Sequence, residues 1–289
     1  MDWNEQQRLA RIAAMEAERM RRFAKVPNIA PVDPFDTAGK CGCAVRYMSL
    51  PSLEGMYSPE PQPIIVVGSQ RPAGRRAYTC AHELGHHVFG HGVMLEELNS
   101  MLSTYAKSPE EFLADTFAGF FLMSQMSVLR AVNDRGWSRS TLTPVQTYAL
   151  ACYFGVGYGA IVNHLCYSLR FINQEHANAL LKIKPKEIKG IYGAMADTEV
   201  ILVDCQWRHR TIDVEVGDTI ILPEGVIIDA GAQLLCDGEA SGQQIVRAIA
   251  PGLARVAQAI GQWAAHIRIA RKDYEGLSEY RFLEEAEGE

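Results

Sequence analysis

Residues 80–92 read CAHELGHHVFGHG, four histidines and one glutamate in a stretch of helical pattern. Side chains four residues apart share a helix face, so His82 and His86 can present two imidazoles to one metal ion. Glu83 follows the first of them and points beside such an ion, where a carboxylate can act on water. Two imidazoles leave the donor set incomplete. A third histidine in the spacing HExxHxxGxxH needs Gly at 89 and His at 92, but the chain has Phe89 and Gly92, with His91 one position early. The other completion is a carboxylate from a later helix. Glu111 stands some two dozen residues on, with Asp115 one turn further along the same face. Asp115 matters because a metal-bound imidazole usually donates its other ring N–H to a carboxylate. Glu110 is the adjacent alternative ligand. Glu111 is favoured because it aligns with Ala114, Asp115 and Ala118, while Phe117 and Phe121 extend the buried face. His87 and His91 read as structural or solvent-facing.

These residues need elements to hold them. Residues 4–25 read as a helix with Leu9, Ile12, Ala13, Met20 and Phe23 on one face. Asp33-Pro34 can cap a short helix, and strands are expected at Ala44–Leu50, around Met56–Tyr57 and at Ile64–Val67. The HELGHH helix is expected from about Thr79 to Gly90. Ser108 as N-cap, Pro109 at the first helical position and Glu111 three beyond the cap start the next helix. Residues 144–171 read as helix, glycine turn, helix. After Thr198 the pattern changes to short strands in EVILVD, TIDVEV, DTIILPEGVIID and AQLLCD. LARVAQAIGQWAA predicts a helix and HIRIARKDYEGLSEYRF a closing hairpin.

The 289 residues suffice for two modest domains, and 28 basic against 34 acidic residues give a net charge of −6. No global basic field draws such a chain to nucleic acid or an anionic membrane. Between Pro144 and Phe171 the one basic residue besides histidine is Arg170, which argues against a DNA-reading helix pair. No apolar run is expected to span a bilayer, and the charged N-terminal stretch does not read as a secretory signal. Seven scattered cysteines fit thiols in a reducing cytoplasm. Cys41-Gly-Cys43 has no second pair to complete a zinc knuckle. No phosphate loop or dinucleotide fingerprint is present, so no further cofactor is expected.

HELGHH after RRAYTCA, followed by EFLADTFAGFFLM, resembles the ImmA/IrrE family of zinc metallo-endopeptidases. The likeness extends to PVDPFDTA, to IIVV before the HExxH helix and to LACYFGV, and covers about residues 30 to 175. It implies that His82, His86 and Glu111 bind zinc, with manganese the alternative in the cell, and that Glu83 is the catalytic base. It also implies a cytoplasmic enzyme whose substrate is a helix-turn-helix transcriptional repressor of stress or mobile-element genes. Ser124 departs from the family's usual proline. The expected fold class is α+β. A mainly helical zincin-like (gluzincin-type) domain with a small sheet fills 1–135. A helix-turn-helix-like segment and linker follow over 136–190, and a β-rich domain over 191–289 whose role stays open between sensing a ligand, recognising substrate and packing on the first domain. Tyr78, Tyr105, His91 and His164 are candidates for a second oxyanion donor. Ile64–Val67 could be an edge strand to which substrate adds, or equally an ordinary interior strand. A non-catalytic binding protein of the same fold and a DNA-binding regulator are the competing readings.

Overall fold

The computed structural model describes residues 1–97, 108–193, 198–207, 210–240, 242–261 and 263–283. Helix α1 (Trp3–Phe23) starts at Asp2, whose carboxylate accepts from the Glu5 backbone N–H at 2.8 Å. It buries Leu9, Ala13, Ala17 and Arg21, a stripe at every fourth residue, and packs on helix α4 (Pro109–Leu122). Ile12 and Phe23, expected on that face, are exposed. The two alanines let the helices approach closely, and Arg21 takes the place expected of a hydrophobe. Its buried guanidinium donates to the carbonyls of Phe121, Pro27 and Ala30, which compensates the lost hydration of the charge.

Asp33 caps α2 (Pro34–Lys40) as expected, accepting from Phe35 and Asp36. A sheet follows: β1 (Ala44–Met48), β2 (Leu53–Ser58), β3 (Ile64–Gly68) and β4 (Met94–Glu97), joined by β13 (Gly276–Leu277) in the order β13-β1-β3-β2-β4. β3 runs parallel to β1 and antiparallel to β2. It is therefore an interior strand, with four of its five residues buried, so of the edge and interior readings of Ile64–Val67 the interior one holds. Its unbroken apolar run is what a strand covered on both faces requires.

Helix α3 (Ala73–Phe89) starts six residues before the expected Thr79. Pro72 is its N-cap. A Cβ on Gly74 would stand 2.6 Å from the Val156 carbonyl carbon, so glycine lets the first turn lie on the backbone at 156–157. α4 starts at Ser108, whose hydroxyl accepts from the Glu111 N–H at 3.2 Å. α5 (Gln125–Asp134) follows, capped by Ser124. Contrary to expectation, α4 and α5 together are long and apolar enough to cross a membrane; more than half of the qualifying window is buried inside the fold, as in a core helix.

α6 (Pro144–Phe154) ends on left-handed Gly155, α7 (Tyr158–Asn163) continues into a wide turn over His164–Ser168, and α8 (Gln174–Lys182) and α9 (Pro185–Gly190) follow. The helices of 136–190 share one core with α3 and α4, through Leu150, Phe154, Ile161 and Leu165.

Two four-stranded sheets complete the molecule. One has the order β5-β7-β10-β9, with β5 (Val200–Leu202), β7 (Thr219–Leu222), β9 (Leu234–Ala240) and β10 (Gln243–Ala248). The other is β6-β12-β11-β8, with β6 (Ile212–Glu215), β8 (Val226–Ala230), β11 (Gly252–Gln258) and β12 (Ala264–Ala270). Both contribute to a second core that includes Ile212, Ile220, Val246, Val256 and Ile267. The helix expected over LARVAQAIGQWAA is thus a correction: the stretch is strand, and the alternation of exposed Leu253 with buried Ala254 and Val256 follows the strand period. Nor does the last segment fold back as a hairpin on β12. β13 pairs antiparallel with β1, and Tyr274 meets Tyr47 edge-on at 6.1 Å. The structure is mixed helix and sheet, as expected.

His164 sets a pH limit on this core. Its Nε2–H donates to the Met123 carbonyl at 2.8 Å, and a Cβ on Gly119 would stand 3.0 Å from its Nδ1. Burial pushes its pKa down to about 4, against an ordinary 6.5. The unfolded chain then binds a proton that the folded one refuses. Stability from this site is complete above about pH 6.5 and drains away as pH falls toward 4, by up to roughly 3 kcal/mol. Urea unfolding across that window should show a steeper acid loss for wild type than for His164→Gln, which keeps a donor without titrating.

Candidate metal centre

Helices α3 and α4 cross beside β2, and the crossing brings together residues far apart in sequence. Gly85 is what allows the approach. A Cβ there would lie 3.0 Å from Ala114 Cα and 3.2 Å from Phe117 Cδ1. The helix interior disfavours glycine, so a glycine within the HELGHH helix is the signal in the sequence for close packing. Gly85 sits between the two histidines on α3, opposite the turn of α4 that carries Glu111 and Asp115.

His82 and His86 are 2% and 1% exposed, so their imidazoles are withdrawn from solvent. Their Nε2 atoms face each other at 3.0 Å. Glu111 Oε2 lies 3.3 Å from His82 Nε2, and Oε1 lies 3.6 Å from His86 Nε2. One donor atom from each of the three residues falls in a group whose members all lie within 4.8 Å of one another. Four ligands at zinc distances of about 2.0–2.1 Å on a tetrahedron are separated by roughly 3.3 Å, so these spacings fit a metal ion. The chemistry of the donors agrees. Two imidazole nitrogens that close cannot both carry protons. Burial, helped by His82, pushes the His86 pKa down to about 4, and its hydrogen bond with His82 holds the Glu111 carboxyl below its ordinary value. Neutral imidazoles and an ionised carboxylate are the forms that ligate.

The outer nitrogens are held as well. His82 Nδ1 lies 3.0 Å from Asp115 Oδ1, so its N–H donates to that carboxylate. His86 Nδ1 lies 2.8 Å from His91 Nδ1. With His86 Nε2 turned to the donor group, His86 donates and His91 accepts. His91 is therefore the partner of the second imidazole, a role that spacing alone did not reveal. His87 is outside the donor group, and its Nδ1 meets the Tyr57 hydroxyl at 2.9 Å. Glu110 is exposed at the start of α4 and also outside the group.

Glu83 is fully buried and faces the sheet. A Cβ on Gly55 of β2 would stand 3.1 Å from Glu83 Oε1 and 2.3 Å from Thr79 Cγ2, so a glycine in the strand makes room for the carboxylate. Of the candidate oxyanion donors, Tyr78 donates to the Asp115 carbonyl at 3.2 Å, and His164 is buried against Met123 in the core. Tyr105 lies outside the described residues. Cys41 and Cys43 do not belong to any donor group among the described residues.

Gly85→Ala should spread α3 from α4. The expected cost is about 1–3 kcal/mol of stability, with weaker metal binding because Glu111 moves away from the histidines. Urea midpoints and metal titrations of the same preparations read both effects. An unchanged midpoint would show that the close approach at Gly85 does not set the helix spacing.

In comparison with protein families, residues 38–165 fit the Peptidase_M78 model, described as an IrrE N-terminal-like domain. The match runs from α2 through α7 and leaves out the paired sheets of the C-terminal part. Curated proteins provide no match to the chain.

Proposed function

We propose, from the IrrE N-terminal-like domain of the Peptidase_M78 family at residues 38–165, that the chain is a zinc-dependent endopeptidase of the zincin-like, gluzincin type. The observation that carries this reading is the set of His82, His86 and Glu111 donor atoms at 3.0–3.6 Å separations. Those three residues would hold the ion. Bound there, zinc supplies Lewis acidity to a water and to the scissile carbonyl. Glu83 takes the proton of the attacking water and hands it to the leaving nitrogen. Asp115 and His91 fix the tautomers and ring planes of His82 and His86, so that both Nε2 lone pairs would be free to ligate. Asp115 adds negative charge behind His82 and raises the basicity of that ligand.

The substrate on this reading is a helix-turn-helix repressor in the cytoplasm, in keeping with the family resemblance and with the absence of a net basic charge that would suit the chain to DNA itself. The experiment is digestion of purified helix-turn-helix repressors by the zinc-loaded chain, with Glu83→Gln as the control. A discrete cut made by wild type alone supports the reading. Intact repressors under both proteins would remove the proposed substrate class.

A further inference from the structure

Between the two cores lies a cavity of about 700 Å³, within the range of small-molecule sites. The first turns of α3 form one wall, the α6–α7 corner a second, and strands of the C-terminal sheets a third. It is separate from the donor group at the other end of α3.

The charges of its lining can be followed pair by pair. Asp33 and Asp213 are held by Arg268 and Arg281. Glu215 is held by Arg76, Glu199 by Lys189 at 2.7 Å, and Arg75 is held by Glu54 at 2.8 Å. Asp218 has no cation within ion-pair distance among the described residues; it accepts the Glu215 backbone N–H at 2.8 Å, and burial pushes its pKa up to about 7, which favours the neutral acid. Arg210 remains. It is a cation with no carboxylate within ion-pair distance among the described residues; Asp213 and Asp33 act on it only from further away. One edge of its guanidinium donates to the Tyr153 carbonyl, and its central carbon lies 4.5 Å from the Trp207 ring centre and 5.1 Å from that of Tyr153.

Trp207 supplies the second, independent observation. It is 3% exposed, lines the same cavity, and its indole N–H has no hydrogen-bond partner among the described residues. A buried donor without an acceptor is unfavourable, and here it stands beside the Arg210 guanidinium. Apolar groups, among them Val32, Phe35, Ala151 and Phe154, make up much of the remaining wall.

We infer that this interdomain cavity binds a small organic carboxylate with an apolar body, its carboxylate held by Arg210 and the Trp207 N–H and its body lying on the apolar wall. A single negative charge matches the single guanidinium it would meet; a dianion would bury a charge that Arg210 alone does not offset, which is costly. The ligand would touch both cores at once, so binding would raise the unfolding temperature of the whole chain.

Four probes test each part of this assignment on the full, zinc-loaded chain: benzoate, acetate, benzyl alcohol and phenyl phosphate, followed by calorimetry and by thermal unfolding. Benzoate should bind saturably and raise the unfolding temperature. Acetate, which lacks the body, and benzyl alcohol, which lacks the charge, should each bind at least roughly tenfold more weakly. Arg210→Gln should weaken benzoate by a similar factor, and Trp207→Phe by a smaller one. Benzoate that fails to saturate, benzyl alcohol or acetate that matches it, or phenyl phosphate that exceeds it would each overturn the assignment. So would Arg210→Gln binding benzoate as wild type does. Should Arg210→Gln fail to fold, the four-probe comparison on wild type still decides.

Discussion

Glu83→Gln is expected to lower hydrolysis by about a hundred- to ten-thousandfold, the usual worth of a general acid–base, while the metal content stays at the wild-type level. The separation of the two effects follows from geometry. His82 and His86 point toward α4 and meet Glu111, whereas Glu83 lies on the sheet side of α3 against Gly55. Glutamine keeps the size of the side chain and so fits the same space, but it cannot accept the proton of water. Elemental analysis of metal per chain, together with the rate of substrate cleavage, reads both quantities on one preparation. Cleavage within tenfold of wild type would remove Glu83 from the proton path. Loss of metal in this variant would mean that the glutamate helps to hold the donor group, which the geometry does not support.

Which parts of this arrangement could be read in the sequence depends on how local their causes are. His82, His86 and the start of α4 at Ser108 follow from helix period and capping, both of which act within one or two turns. The Glu111–Asp115 pair was legible for the same reason, since one turn separates the carboxylate in the donor group from the carboxylate facing an imidazole. The register between α3 and α4 was not. It depends on Gly85 lying against Ala114, a contact that joins residues distant in the chain. The β11 stretch failed for a related reason. ARVAQAI has good helix formers, but pairing with β8 and β12 and burial of alternate residues outweigh a propensity worth well under 1 kcal/mol per residue. β13 shows the same limit, because Gly276 and Leu277 find their partner at Arg46 and Tyr47 across almost the whole chain. The ion pair of Arg76 with Glu215, which ties the HExxH helix to the C-terminal sheets, carried no pattern by which it could have been expected.

Glu111→Ala is expected to weaken metal binding by well over a hundredfold, because loss of an outer-shell partner alone costs 10–100-fold and this variant removes a direct donor. Two imidazoles at 3.0 Å would remain, without the carboxylate charge that offsets the ion. The fold should survive. The N-cap bond at this position runs from the Glu111 backbone N–H to Ser108, and alanine keeps it. The Glu111 side chain is half-buried at the start of α4, outside the core stripe of Ala114, Phe117, Ala118 and Phe121. Glu110→Ala is the matched control. It changes the same charge one residue away, at an exposed position outside the donor group, and should leave metal binding as it was. The pair of variants therefore separates a coordinate bond from a general electrostatic attraction. If both weakened binding equally, the acidic end of α4 would be acting only as a field on the ion, and two histidines would carry the site. If Glu111→Ala alone loses the metal while its unfolding midpoint without metal matches wild type, the third ligand is Glu111.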